Sequence, residues 1–326
     1  MTDQRFMQWD DIQQACDDWR VADGAPGSPF DAWRGKFLPL PDWYDSTIDP
    51  FSAAYVAQQD RIWRAMVGEV ETYNPLVHEI TNDHCIDVLV RPGLYNAAPE
   101  AAGNHLIALG HLVQQSGLRP GGRVLEYGAG FGQIALTFAR MGYEVHTVDI
   151  DPALCEAMRE QAQFFRSNLT AHLGEFGDNP GGRFNLIVFY ECFHHARNWV
   201  SLIARFHELL APGGKILMAG EPIAPSNEET RLWCPYPWGI RPDSEVAAIT
   251  RFRKWYELGF RQEFLIQAFE AQGFSMVSKP CSISSYAHVF EITLAPLRPA
   301  EPLPRVAAQP EKSRTLPWYR SWFKPR

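Results

Sequence analysis

Three groups of residues in this 326-residue chain have types and spacing suited to chemistry. The first is Glu126-Tyr127-Gly128-Ala129-Gly130-Phe131-Gly132, which follows the apolar pair Val124-Leu125. Alternating glycines let a backbone pass close to a ligand, and a helix beginning after them faces it with its N-terminus. The second is Asp149, seventeen residues after Gly132, at the end of Val145-His146-Thr147-Val148. An acid at the tip of a second strand can accept hydrogen bonds from a ribose diol. The third is Glu191-Cys192-Phe193-His194-His195, after the apolar run that starts at Phe184. A histidine there can take a hydroxyl proton near neutral pH; His195 is the first candidate and His194 the second. Glu221, after the next strand, is a further candidate base. No metal site is expected, because adjacent side chains diverge and no partner acid has matching spacing.

These groups need strands that end at one edge and helices that follow them, and the sequence supplies both. Strands are predicted at Arg123–Tyr127, Glu144–Asp149, Leu169–Leu173, Phe184–Glu191, Lys215–Gly220, Phe274–Lys279 and Tyr286–Leu294. Phe184–Glu191 is almost unbroken in its apolar run, as suits a central parallel strand covered on both faces. Helices are predicted at Ile134–Met141, Pro152–Phe165, Trp199–Leu210 and Phe260–Ala271, several closed by glycine or opened by proline. The alternation implies an α/β fold with a doubly wound, seven-stranded, mostly parallel Rossmann-like sheet.

The spacing distinguishes two cofactor classes. A dinucleotide motif G-x-G-x-x-G wants a small residue at position 133, where Gln133 stands. The pattern here is G-x-G-x-G with an acid two residues before it, which resembles motif I of the class I S-adenosylmethionine (SAM) dependent methyltransferases. The resemblance covers about residues 117–296 and includes the order of elements. It implies SAM as cofactor and an antiparallel last strand. On it, Glu126, Tyr127, Gly128, Ala129, Gly130 and Gly132 approach the methionine moiety and ribose, and Asp149 with Ile150 serves the ribose. Glu175 and Phe176, after the third strand, sit near the adenine, and Tyr190 ends the fourth strand beside the cofactor. An NAD-dependent oxidoreductase and a non-catalytic SAM-binding scaffold are the rival readings. A hydroxyl acceptor on a saccharide or other small polar metabolite is expected; protein or nucleic-acid methylation is a third alternative, weakened because the Asn-Pro-Pro-Tyr signature of amino-group methylation is replaced by Tyr190-Glu191-Cys192-Phe193. Asp49–Tyr55 and Ile62-Trp63 resemble methyltransferases associated with bacterial surface polysaccharides.

Composition sets the remaining bounds. With 46% apolar and 21% charged residues, the chain reads as an ordinary globular protein able to bury a core. A net charge of −8 argues against a nucleic-acid partner. Six scattered cysteines without a C-x-x-C pair suggest free thiols in a reducing cytoplasm. Residues 1–116 are expected to form an N-terminal helical cap, with helices at Phe51–Val67 and Ala101–Gln115. Residues 222–259 are expected to be a lid insertion whose Trp233, Tyr236 and Trp238, set among prolines, are exposed for stacking on a sugar or flat ring. Residues 297–326 read as a Pro-rich linker and a basic-aromatic tail, with weak membrane or acidic-partner contact through 314–326.

Overall fold

The computed structural model describes residues 5–22, 24–68, 72–80, 99–225 and 232–295. The tail from 296 onward, and with it the expected docking segment, lies outside the described residues.

The sheet has β1 (Arg123–Tyr127), β2 (Glu144–Asp149), β3 (Leu169–Leu173), β4 (Phe184–Tyr190), β5 (Leu210–Ala219), β9 (Phe274–Lys279) and β10 (Val289–Leu294). Their order is β3-β2-β1-β4-β5-β10-β9. β1 pairs in parallel with β2 and β4, while β10 runs antiparallel to both β5 and β9, as expected. The chain reverses its winding direction between β1 and β4. Their carboxyl ends therefore splay apart into the crevice where ligands of open α/β sheets bind.

Both faces of the sheet are covered, which explains the apolar runs. Along β1, Leu125 and Tyr127 face a layer with Phe189, Phe206 and Phe269, whereas Val124 faces one with Ala135, Phe138 and Met158. The helix Pro99–Ser116 packs on the sheet beside β5 and β10, and its Leu112 is fully buried in the second layer. It thus covers the sheet rather than the N-terminal cap.

The cap and the insertion are one structure. The insertion folds into β6 (Ile223–Ala224), β7 (Trp238–Ile240), β8 (Leu258–Arg261) and the helix Ser244–Arg253. Against these pack the N-terminal helices Ile12–Arg20 and Ala53–Val67. Tyr55 donates through its hydroxyl to Trp238 O at 2.8 Å, Trp238 Nε1 donates to Pro50 O at 2.7 Å, and Trp63 Nε1 donates to Lys254 O at 3.1 Å. The expectation of exposed aromatics fails here. Trp233, Tyr236 and Trp238 are at most 2% exposed: Tyr44 and Tyr55 of the N-terminal segment pack on Tyr236 and Trp238, and the Arg241 guanidinium lies over Trp233. Prolines beside aromatics signal irregular backbone and leave burial open. No helix among the described residues is long and apolar enough to cross a membrane.

Candidate active site

The glycine turn closes tightly onto its neighbours. Gly128 has φ +58°, and a Cβ there would lie 2.8 Å from Cys192 Cβ. Gly132 has φ +74°, and its Cβ would meet Met158 Cγ at 2.9 Å. Only glycine fits either position. Asp149 ties this turn to the end of β2: its Oδ2 accepts from Gly130 N and its Oδ1 from Asp151 N, both at 2.9 Å. Asp151 in turn caps the helix Pro152–Phe165, so Asp149 is spared that task.

Two cavities flank the turn. The larger, about 860 Å³, is lined by Gly128, Gly130, Asp149, Ile150, Glu175 and Phe176, and reaches Tyr73 and Glu79 of the cap. The smaller, about 380 Å³, is lined by Glu126, Ala129, Tyr190, His194, Arg241 and Glu257. Both are bounded by Gly128, Gly130, Phe131, Glu191, His195 and Trp255. Tyr127 and Gly132 line neither. Tyr127 is buried under the turn, stacked on Phe189, with its hydroxyl donating to Asp178 O.

These walls suit the cofactor expected from the sequence. Asp149 offers a carboxylate at the strand tip, 6% exposed. Glu126 is buried, and its Oε2 has no hydrogen-bond partner. Burial pushes its carboxyl up to about 8, against the pull of the Ala135 N–H and with help from Asp149. A cationic donor such as an amino acid ammonium would satisfy both the orphaned oxygen and the missing charge. Glu191 adds a second strained acid. It holds φ +52°, outside the regions a non-glycine residue prefers, with its N–H on Ala219 O and its carboxylate on the Tyr286 hydroxyl. Burial raises its carboxyl to about 7.

The histidines sit on a short 3₁₀ turn, Phe193–His195, after β4. Glu221 fixes that turn from behind. Its Oε1 accepts from the N–H groups of Cys192 and Phe193, and its Oε2 from His194 N and His194 Nδ1 at 2.8 Å. The Glu221 side chain is fully buried and lines neither cavity, so this candidate base instead orients His194. His195 turns its Nδ1 toward Glu79 Oε2 at 3.1 Å. Glu79 is itself held by Tyr256 N and the Tyr73 hydroxyl. Burial lowers the affinity of His195 for its proton, but Glu79 and Glu257 together raise it more, to about 9.

The expectation that the two rings diverge is overturned. Their centroids are 4.4 Å apart, and Glu257 from β8's leading edge faces both. The reason is the turn: neighbouring side chains point to opposite faces in a strand but only about 120° apart in a 3₁₀ turn, where Glu257 lies within 3.9 Å of both rings. Glu79 and Glu257 escaped sequence reasoning altogether. Glu79 lies over a hundred positions before its histidine, and Glu257 lies within the insertion.

Comparison with known proteins follows the same lines. A family of methyltransferase domains matches residues 104–279, more than half of the chain. The ribosomal protein L11 methyltransferase of Thermus thermophilus is 31% identical over 176 residues, covering 50% of this chain and 61% of that protein. The corresponding protein of Ralstonia nicotianae is 33% identical over 183 residues, covering 55% and 54%. The chain thus spans little more than half the length of these curated relatives. Among solved structures, the Burkholderia thailandensis 1,6-didemethyltoxoflavin-N1-methyltransferase has 18% identity and a TM-score of 0.44, covering 80% of this chain and 95% of that one. The glycopeptide N-methyltransferase MtfA has 17% identity and a TM-score of 0.44, covering 64% and 97%. The matched residues span the glycine turn and the strand-tip acid, and the chain belongs to the class I, SAM-dependent methyltransferase domains.

Proposed function

We propose that this protein transfers a methyl group from SAM to a hydroxyl of a small polar acceptor, a saccharide first among them. The observation that carries the reading is His195. It stands where the two cavities meet, with Nδ1 at 3.1 Å from Glu79 Oε2 and Nε2 turned away from it. A histidine oriented by a carboxylate through one nitrogen offers the other to a reacting hydroxyl.

SAM supplies a methyl group already activated by a positive sulfur. Asp149 and Glu175 hold the adenosine end, Phe176 walls the ring, and Glu126 and Glu191 face the amino acid end. His195 in its neutral form would take the acceptor hydroxyl proton through Nε2, and because its two acids hold the imidazolium up to about 9, this role is served on the alkaline side. Tyr73 and Trp255 limit the larger cavity and keep water from the reacting atoms. Trp255 also stands edge-on to His195, with ring centroids 5.9 Å apart. An aromatic wall beside Arg241, Glu79 and Glu257 suits a sugar, which presents apolar faces and hydroxyl edges.

The test is a panel assay. Formation of S-adenosylhomocysteine is followed with glycosides, sugar nucleotides, phenols and amines as acceptors. The proposal expects turnover with hydroxyl acceptors and its loss in His195→Ala. Turnover confined to amines would refute the hydroxyl assignment.

A further inference from the structure

The geometry points to a binding site for one first-row divalent transition cation, held by Nε2 of His194, Nε2 of His195 and the carboxylate of Glu257. One ligand atom from each of the three residues can be chosen so that all lie within 4.8 Å of one another. His194 Nε2 is 3.5 Å from Glu257 Oε2, and His195 Nε2 is 3.9 Å from Glu257 Oε1. Tetrahedral ligands about 2.0–2.1 Å from a zinc-sized ion stand roughly 3.3–3.4 Å from one another. The two contacts to Glu257 therefore need to close by about half an ångström or less, and the two ring nitrogens, within 4.8 Å of one another, by about 1.5 Å at most. Two hydrogen-bonded imidazole–carboxylate pairs would shrink little; two rings and an acid converging on a common point can.

The surroundings strengthen the case. Each imidazole has its far nitrogen beside a different acid: Glu221 Oε2 is hydrogen-bonded to His194 Nδ1 at 2.8 Å, and Glu79 Oε2 lies at ion-pair distance, 3.1 Å, from His195 Nδ1. Histidine ligands of metals are held in this way, with Nδ1–H given to a carboxylate so that Nε2 is presented with its lone pair outward. Those acids are not loose. Glu221 accepts three backbone N–H bonds, and Glu79 takes the Tyr73 hydroxyl and Tyr256 N. Three acids around two rings also leave an excess of negative charge, which a divalent cation offsets without protonating either ring. His194, His195 and Glu257 all line the smaller cavity, so open coordination positions would point into it.

Two imidazoles and one carboxylate favour manganese-to-zinc ions over magnesium or calcium, which prefer all-oxygen shells. Binding stands on this geometry alone. The role of the ion rests on the methyl-transfer reading: bound to the acceptor oxygen, it would take over from His195 the task of activating the hydroxyl.

The test uses the full chain without a purification tag, stripped by a chelator and titrated with Co²⁺. Visible d–d absorption and equilibrium dialysis report binding. One equivalent per chain is expected, displaced by Zn²⁺ and not by equal Mg²⁺. His194→Gln, His195→Gln and Glu257→Gln should each weaken it by roughly tenfold or more, and Glu221→Gln less. Circular dichroism confirms that each variant is folded, and the conservative replacements keep side-chain bulk. Folded wild-type protein that takes up no Co²⁺, or uptake unchanged in all three ligand variants, overturns the site. Calorimetry with SAM runs in parallel. Absent SAM binding would sink the methyl-transfer reading and leave the Co²⁺ result standing.

Discussion

Asp149 does two things at once, and a pair of substitutions separates them. Its carboxylate already accepts from Gly130 N and Asp151 N, one on each oxygen. Asp149 also lines the larger cavity, where a ribose hydroxyl would meet its carboxylate. Asp149→Ala removes both functions. The lost charge-assisted bond to ribose costs about 1.5–3 kcal/mol, roughly ten- to a hundredfold in SAM affinity. The two orphaned N–H groups cost about 1–3 kcal/mol each where water cannot reach them. Melting should therefore fall by several degrees as well, at about 2–4 °C per kcal/mol for a chain of this class. Asp149→Asn keeps one acceptor oxygen and so restores part of the clamp, while losing the charge. Calorimetry with SAM and scanning calorimetry without it are run on both variants. The expected pattern is a melting temperature partly recovered in Asn and an affinity that stays at least tenfold down. Wild-type affinity in Asp149→Asn would refute the ribose contact and reduce Asp149 to a clamp.

Three further outcomes are expected. His195→Ala should lower kcat by roughly 10² to 10⁴ with SAM affinity unchanged; a fall in SAM affinity with kcat intact would make it a binding residue. Glu126 has a folded pKa of about 8, above its unfolded value, so its contribution to stability is full below the unfolded value and is lost as pH rises through 8. In the SAM-free protein, Glu126→Gln should therefore flatten the decline in melting temperature between pH 6 and 9, and an unchanged decline would remove Glu126 as its source. Trp238→Ala should destabilise the fold by about 3–5 kcal/mol in denaturant titrations, since the ring is 1% exposed and packs on Tyr55 and Trp199; unchanged stability with only a raised acceptor KM would restore the lid reading.

The sheet was legible because parallel strands buried on both faces write continuous apolar runs. The expected bounds of β1, β2 and β3 match the observed ones, although the nearly continuous apolar run is that of β4. The meeting of the glycine turn with Asp149 was legible for a related reason: a glycine turn and the next strand tip are close in sequence as well as in space. The acceptor side was not. Glu79 meets His195 only because the cap folds back over the sheet, and no local pattern announces that. The histidine pair was misjudged through its backbone, since a strand would have sent the rings to opposite faces and the 3₁₀ turn keeps them together. The aromatics of the insertion were misjudged through their prolines, which mark irregular chain while Tyr44 and Tyr55 cover Tyr236 and Trp238.

The shared cap has a consequence for how the chain is made. Helix Ile12–Arg20 leans on Ser244–Arg253, and Arg251 reaches back to Gln13 and to Val67 O. Trp63 likewise finds its acceptors at Lys254 and Trp255. During synthesis the first 80 residues must wait for about 180 more before their partners leave the ribosome. Such distant pairings fold late and leave apolar surface open meanwhile. A fragment trimmed to the matched domain at residue 104 would keep its sheet but strand Trp238 and Tyr256 without cover, and should aggregate; supplied in trans, residues 1–80 should rescue it if the cap assembles last.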